Sequence, residues 1–101
     1  MSPADAVALG ALRREIEAVD AVIIDALAQR MALAREIRVV KQRAGQPVLD
    51  PAREAEVVGR AAAKAREVGL PEDEIRALYW KVMAVARGVQ GNRDAPMTRA
   101  E

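Results

Sequence analysis

The sequence predicts an all-α fold of three helices, one of them very long. Two observations carry this. From Leu9 to Ala44 the spacing alternates between three and four along Leu9, Leu12, Ile16, Val19, Ile23, Ala26, Arg30, Leu33, Ile37, Val40 and Ala44, and Arg30 is the only polar member of that row. Such a row is a heptad seam on one face of a continuous helix. The second observation is punctuation. Ser2-Pro3 and Asp50-Pro51 each read as an N-cap followed by a first-turn proline, and glycines at 45 and 69 mark stops. No alternating strand pattern and no internal repeat interrupts this scheme.

The first helix is expected over residues 3–42, closed by Gly45 and Pro47. A short linker then leads to a second helix over 51–68, whose inner stripe is Val57/Val58, Ala61, Ala65 and Val68. Pro71 with Glu72, Asp73 and Glu74 opens a third helix over 71–90, with its apolar face at Ile75, Leu78, Val82, Val85/Ala86 and Val89. Residues 1–91 thus form one helical domain, and 92–101 lack periodicity and are expected to be a disordered tail. The first helix also bears on assembly. About forty residues at 1.5 Å each make a rod of roughly 60 Å, longer than two shorter helices can cover. The uncovered seam is expected to be buried against a second copy in a homodimer.

Composition narrows the chemistry. The chain has 101 residues, 51% hydrophobic and 31% charged, which is the balance of a single folded domain. Net charge is +1 and the aromatic residues are Tyr79 and Trp80, so neither nucleic acid nor a membrane surface is an expected partner. No apolar run is long enough to span a bilayer, and the opening MSPADAVALG lacks a basic signal-peptide start. With no cysteine there is no disulfide framework, and a cytoplasmic setting is the default. The absence of both His and Cys excludes a Ser-His-Asp triad, a thiolate nucleophile and the usual zinc sites. No metal and no cofactor are expected. An enzyme built from Arg, Lys, Glu, Asp and Gln is suited to positioning and electrostatic stabilisation.

The charged residues that break the pattern are the candidate site. Arg30 in the seam is either a register-setting or snorkelling arginine or the receptor of an anion. Lys41 is eleven residues on, close to three turns and about 16 Å along the axis, so it projects from nearly the same side unless it is merely a solvated residue near a helix end. Asp50 is explained by capping alone. Glu54 shares the stripe of Val58 and Ala61, and an inward carboxylate needs a cation or a hydroxyl as partner. Arg53 sits beside it at a helix N-terminus, and Gln90 closes the third helix in line with Val82/Met83 and Ala86; both are either surface polar groups or ligands. Arg13 lies about 25 Å from Arg30 along the same helix. It is a solvated flank residue, or it reaches a site on an antiparallel partner helix.

The stretch Leu12-Arg13-Arg14-Glu15-Ile16-Glu17-Ala18-Val19-Asp20 resembles the L-R-x-x-I-x-x-x-D opening of the all-helical chorismate mutases, the AroQ class. The resemblance continues through Leu27-Ala28-Gln29-Arg30, Lys41, Val48-Leu49-Asp50-Pro51-Ala52-Arg53-Glu54 and Gln90, without a gap, over about residues 8 to 91. It implies an intertwined homodimer of three-helix chains with two equivalent sites, converting chorismate to prephenate. Under it Arg30 and the partner subunit's Arg13 bind the two substrate carboxylates, and Arg53 supports them. Lys41 and Gln90 hydrogen-bond the ether oxygen, Glu54 accepts from the ring hydroxyl, and the Asp50 region adds contacts. Ala86 stands where relatives often carry a small hydroxyl residue, so a secondary carboxylate contact is missing there. Gly88 and Gly91 bracket Gln90, and this end of the helix is expected to be loose before ligand binds. Isochorismate pyruvate-lyases resemble this class but tend to lack the acids matched to Asp50 and Glu54, and aminodeoxychorismate mutases are a further relative. From another class, a non-catalytic dimerisation module explains the seam but not Arg30, Lys41 and Glu54. Any control is expected to come from an associated enzyme.

Overall fold

The computed structural model describes residues 1–94, and their side chains through Gly88. Three helices follow one another: α1 (Pro3–Arg43), α2 (Pro51–Glu67) and α3 (Glu72–Asp94). Among the described residues there is no strand, so the all-α expectation holds. The chain divides between Leu33 and Ala34 into two compact units.

The first unit is the N-terminal part of α1. The Ser2 hydroxyl accepts the Asp5 N–H at 3.1 Å and the Ser2 carbonyl accepts the Ala6 N–H at 3.0 Å, which satisfies donors that a helix start otherwise leaves unpaired. Asp5 adds an acidic residue to that first turn, where the helix dipole favours it. Along this unit the seam residues Leu12, Ile16, Val19, Ile23 and Leu33 are each more than half exposed, whereas Met31 is buried.

The second unit holds the last turns of α1 together with α2 and α3. Both helix ends within it close in the same manner. Gly45 takes a positive φ of 72°, its N–H reaches the Gln42 carbonyl, and the Gln46 N–H reaches the Lys41 carbonyl at 2.8 Å. Gly69 repeats this with φ 79°, with bonds from Gly69 to Arg66 and from Leu70 to Ala65. Both are Schellman closures, which need a residue tolerant of left-handed backbone at that position.

α2 and α3 pack against each other. The buried residues are Val58, Ala62 and Ala65 of α2 and Met83 and Ala86 of α3, and among the described residues no polar side chain is buried. The stripe on α2 therefore runs through Ala62 where Ala61 was expected, and Val68 is the exposed cap residue after the helix. On α3, Leu78 and Val85 are exposed, while Met83 and the expected Ala86 are buried. Val89 has its side chain outside the described residues. Expected helix boundaries hold within one residue except at the end of α3, which continues past 90 to Asp94. A single Gly91 costs a helix only about 1 kcal/mol, and the next proline is not reached until Pro96. The expected tail falls mainly on 95–101, which lie outside the described residues.

The turn between α2 and α3 is fastened by charge. Arg66 donates to Glu72 through Nε at 2.9 Å and Nη2 at 3.1 Å, a two-pronged pair, while Arg76 approaches Glu72 from one turn further on. The Arg66 hydrogen bonds hold the Glu72 carboxyl below the usual carboxylate range. A group depressed in the folded state stabilises above its unfolded pKa and loses that contribution as pH falls through the folded value. Glu72→Gln is therefore expected to lower the melting temperature at pH 7 and to remove part of the stability lost on acidification below about pH 4. Melting curves of both proteins between pH 2 and 7 check this, and parallel acid limbs would contradict it.

Candidate functional site

Six of the residues singled out from sequence lie in the second unit. Lys41, in the last turn of α1, is half-buried, and its ammonium donates to the Val48 carbonyl at 3.3 Å. The same residue's own carbonyl receives Gln46. Both ends of Lys41 thus tie the helix terminus to the linker, and its long side chain is directed along the linker instead of hanging in solvent.

Asp50 caps α2. Its carboxylate accepts the Arg53 N–H at 3.1 Å, and its carbonyl accepts the Glu54 N–H at 3.0 Å. This is the capping role read from Asp50-Pro51, and it leaves the carboxylate exposed at the helix start. Arg53 is exposed as well, and its guanidinium lies 3.6 Å from Glu56 on the next turn. A pair this exposed contributes little to stability.

Glu54 behaves differently. It is half-buried, with its side chain 21% exposed, and its partner is Arg87 of α3, whose Nη1 donates to Oε1. The cation demanded by an inward carboxylate is therefore Arg87, not the neighbouring Arg53. Sequence reading did not name Arg87, although a signal was available. Tyr79, Met83 and Arg87 are spaced by four on α3, so Arg87 ends an apolar stripe as Glu54 begins the Glu54, Val58, Ala62 stripe on α2. Two consecutive helices joined by a short turn run antiparallel, so the start of α2 meets the end of α3. The two charged stripe ends meet there.

Ala86, the residue before Arg87 on α3, is buried. Its methyl group brings no hydroxyl to that position. Gln90 lies one turn further along α3, but its side chain is outside the described residues. The helix remains continuous through Gly88 and Gly91.

Arg13 and Arg30 belong to the first unit. Arg13 is exposed and Arg30 is half-buried. Seventeen residues of continuous helix separate them by about 25 Å, so one chain does not bring them around a common small ligand. Among the described residues no cluster of three or more acidic residues is placed to hold a metal ion, and no helix is long and apolar enough to cross a membrane.

Comparison with known proteins agrees with this pattern. The family model for chorismate mutase type II matches residues 12–91. A T-protein of Enterobacter agglomerans is 39% identical over 75 residues, which is 74% of this chain and 20% of that protein. A 4-amino-4-deoxychorismate mutase of Streptomyces venezuelae is 37% identical over 68 residues, 67% of this chain and 66% of the relative. The chain thus spans a fifth of the first relative and about two thirds of the second. No solved structure matches it. All the candidate residues fall inside the matched segment, which covers most of the sequence: the chain belongs to the chorismate mutase type II family.

Proposed function

We propose that this chain is a chorismate mutase, catalysing the Claisen rearrangement of chorismate to prephenate as a homodimer. The family match over residues 12–91 carries the reading, because Arg13, Arg30, Lys41, Asp50, Arg53, Glu54 and Gln90 all lie within it. In this reaction an allylic C–O bond breaks while a C–C bond forms from the enolpyruvyl methylene to the ring. Electrons move in one cycle, so no nucleophile or proton transfer is needed. The enzyme must hold a flexible dianion in the reactive geometry and stabilise the charge growing on the ether oxygen.

Arg30 and the partner subunit's Arg13 hold the two carboxylates, with Arg53 adding positive potential. Arginine suits this work because its planar fork matches a carboxylate with two parallel bonds. Lys41 and Gln90 donate to the ether oxygen, and Glu54 accepts from the ring hydroxyl near Asp50. The held position of Lys41 supports its role, since an oriented donor need not be ordered during the reaction. Support for the dimer comes from the exposed seam of α1. Leu12, Ile16, Val19, Ile23, Ile37 and Val40 are more than half exposed, and burying each such side chain is worth about 1.5–3 kcal/mol. A second copy of the helix is the cover that matches a heptad seam. A cytoplasmic setting belongs to the same proposal.

The Streptomyces venezuelae relative favours one second reading, a mutase acting on 4-amino-4-deoxychorismate. Loss of chorismate absorbance with the purified protein, followed by product identification, separates the two; no loss above background rejects chorismate as substrate. Arg30→Ala is expected to lower kcat by about 10² or more while leaving the circular dichroism spectrum and the dimer's sedimentation unchanged. Unfolding of that variant instead assigns Arg30 a structural role. Mixing inactive Arg13→Ala and Arg30→Ala subunits is expected to regenerate one intact site per mixed dimer. Absence of any recovery after verified subunit exchange contradicts a shared site.

A further inference from the structure

The Glu54–Arg87 pair contains information about substrate choice that the individual roles above do not. This argument rests on the proposed function, because it takes Glu54 as the acceptor for the substituent on the substrate ring. An isolated carboxylate at that place discriminates strongly by charge. It accepts a hydrogen bond from a neutral hydroxyl and attracts an ammonium group still more, by the full Coulombic interaction in a partly desolvated site. Glu54 is not isolated. Its Oε1 accepts from Nη1 of Arg87 where the α2 and α3 stripes meet. Together the two side chains present a neutral unit in place of a net negative charge, with carboxylate lone pairs remaining to accept from a hydroxyl. An incoming ammonium group meets Arg87 as a like charge. Discrimination arises from the repulsive element as well as the attractive one.

We propose that Arg87, by pairing with Glu54, makes this site select a substrate whose ring carries a neutral hydroxyl over the analogue carrying a cationic amine at the same position. Arg87 is then a positioning and specificity residue, acting through Glu54. Arginine is suited to the task because it remains charged at every working pH and fixes the carboxylate by a directional bond.

The test compares kcat/KM for chorismate and for 4-amino-4-deoxychorismate in the wild type, Arg87→Met, Arg87→Lys and Arg87→Met/Glu54→Gln proteins. The ratio of the two values on one preparation is independent of the fraction of folded enzyme, so partial misfolding of a variant does not obscure it. Arg87→Met is expected to shift the ratio about tenfold toward the amino substrate, the effect of removing one partly screened charge. Arg87→Lys, which keeps the charge, is expected to retain most of the wild-type preference. In the double variant, where no carboxylate remains to attract the amine, the shift is expected to disappear. An unchanged ratio in Arg87→Met overturns the inference while leaving the proposed function intact. A shift of equal size in Arg87→Lys, or one that persists without Glu54, also overturns it. A wild-type protein inactive on both substrates overturns the proposed function and this inference with it.

Discussion

The close contact between α2 and α3 is the constraint on which the second unit depends. Its buried side chains are Val58, Ala62 and Ala65 on α2 and Met83 and Ala86 on α3, three of them alanines. Alanine at a helix contact lets the two backbones approach, and closeness fixes register, because ridges of one helix must enter grooves of the other. Once register is fixed, the ends of the two stripes have no choice of neighbour. Glu54 meets Arg87 because the alanines between Glu54 and the α2–α3 turn hold the helices in step. A larger side chain at Ala62 would disturb the polar end of the contact as well as the apolar middle.

The same helices keep their charges out of the packed centre. Polar groups gather at termini: the Asp50 cap, the Lys41 bond to Val48, and the Arg66–Glu72 fastening at the turn. The Asp50 cap also satisfies a backbone N–H that the start of α2 would otherwise leave unpaired. Members of one fold can serve different reactions, and what the helices contribute is a rigid frame on which charged side chains are placed, at helix ends for Lys41, Asp50 and Glu54 and within α1 for Arg30. The proposed chemistry needs little more than that placement, since the reacting bonds rearrange without help from a nucleophile.

Local signals were legible in the sequence wherever a residue acts on its own segment. Ser2, Asp50, Gly45 and Gly69 announced the helix limits because capping and left-handed closure are decided within a few residues. The identity of the carboxylate's partner was not legible in that way. Glu54 and Arg87 are separated by 33 positions, and Arg53 stood next to Glu54 in the chain. Adjacent residues on a helix point about 100° apart, so adjacency was the weaker clue and the four-residue spacing ending in Arg87 the better one. The shift from Ala61 to Ala62 has a similar cause. Either alanine fits an apolar stripe, and only the facing helix decides which one is buried. At the end of α3 the loss of periodicity after Gly91 suggested a stop, but glycine weakens a helix without ending it as proline does, and α3 continues to Asp94.

Lys41 shows what an early attachment means for a flexible side chain. A lysine in solvent explores many rotamers, and immobilising it costs about 2 kcal/mol of entropy. Here the ammonium is already directed to the Val48 carbonyl, so much of its conformational freedom is surrendered when the linker folds against the end of α1. Under the proposed function, the substrate meets at this cation a preorganised donor with two of its three protons still to offer. The linker between α1 and α2 thus sets the rigidity of a charge as well as the direction of the chain, and its length is constrained by the need to bring the Val48 carbonyl to that ammonium.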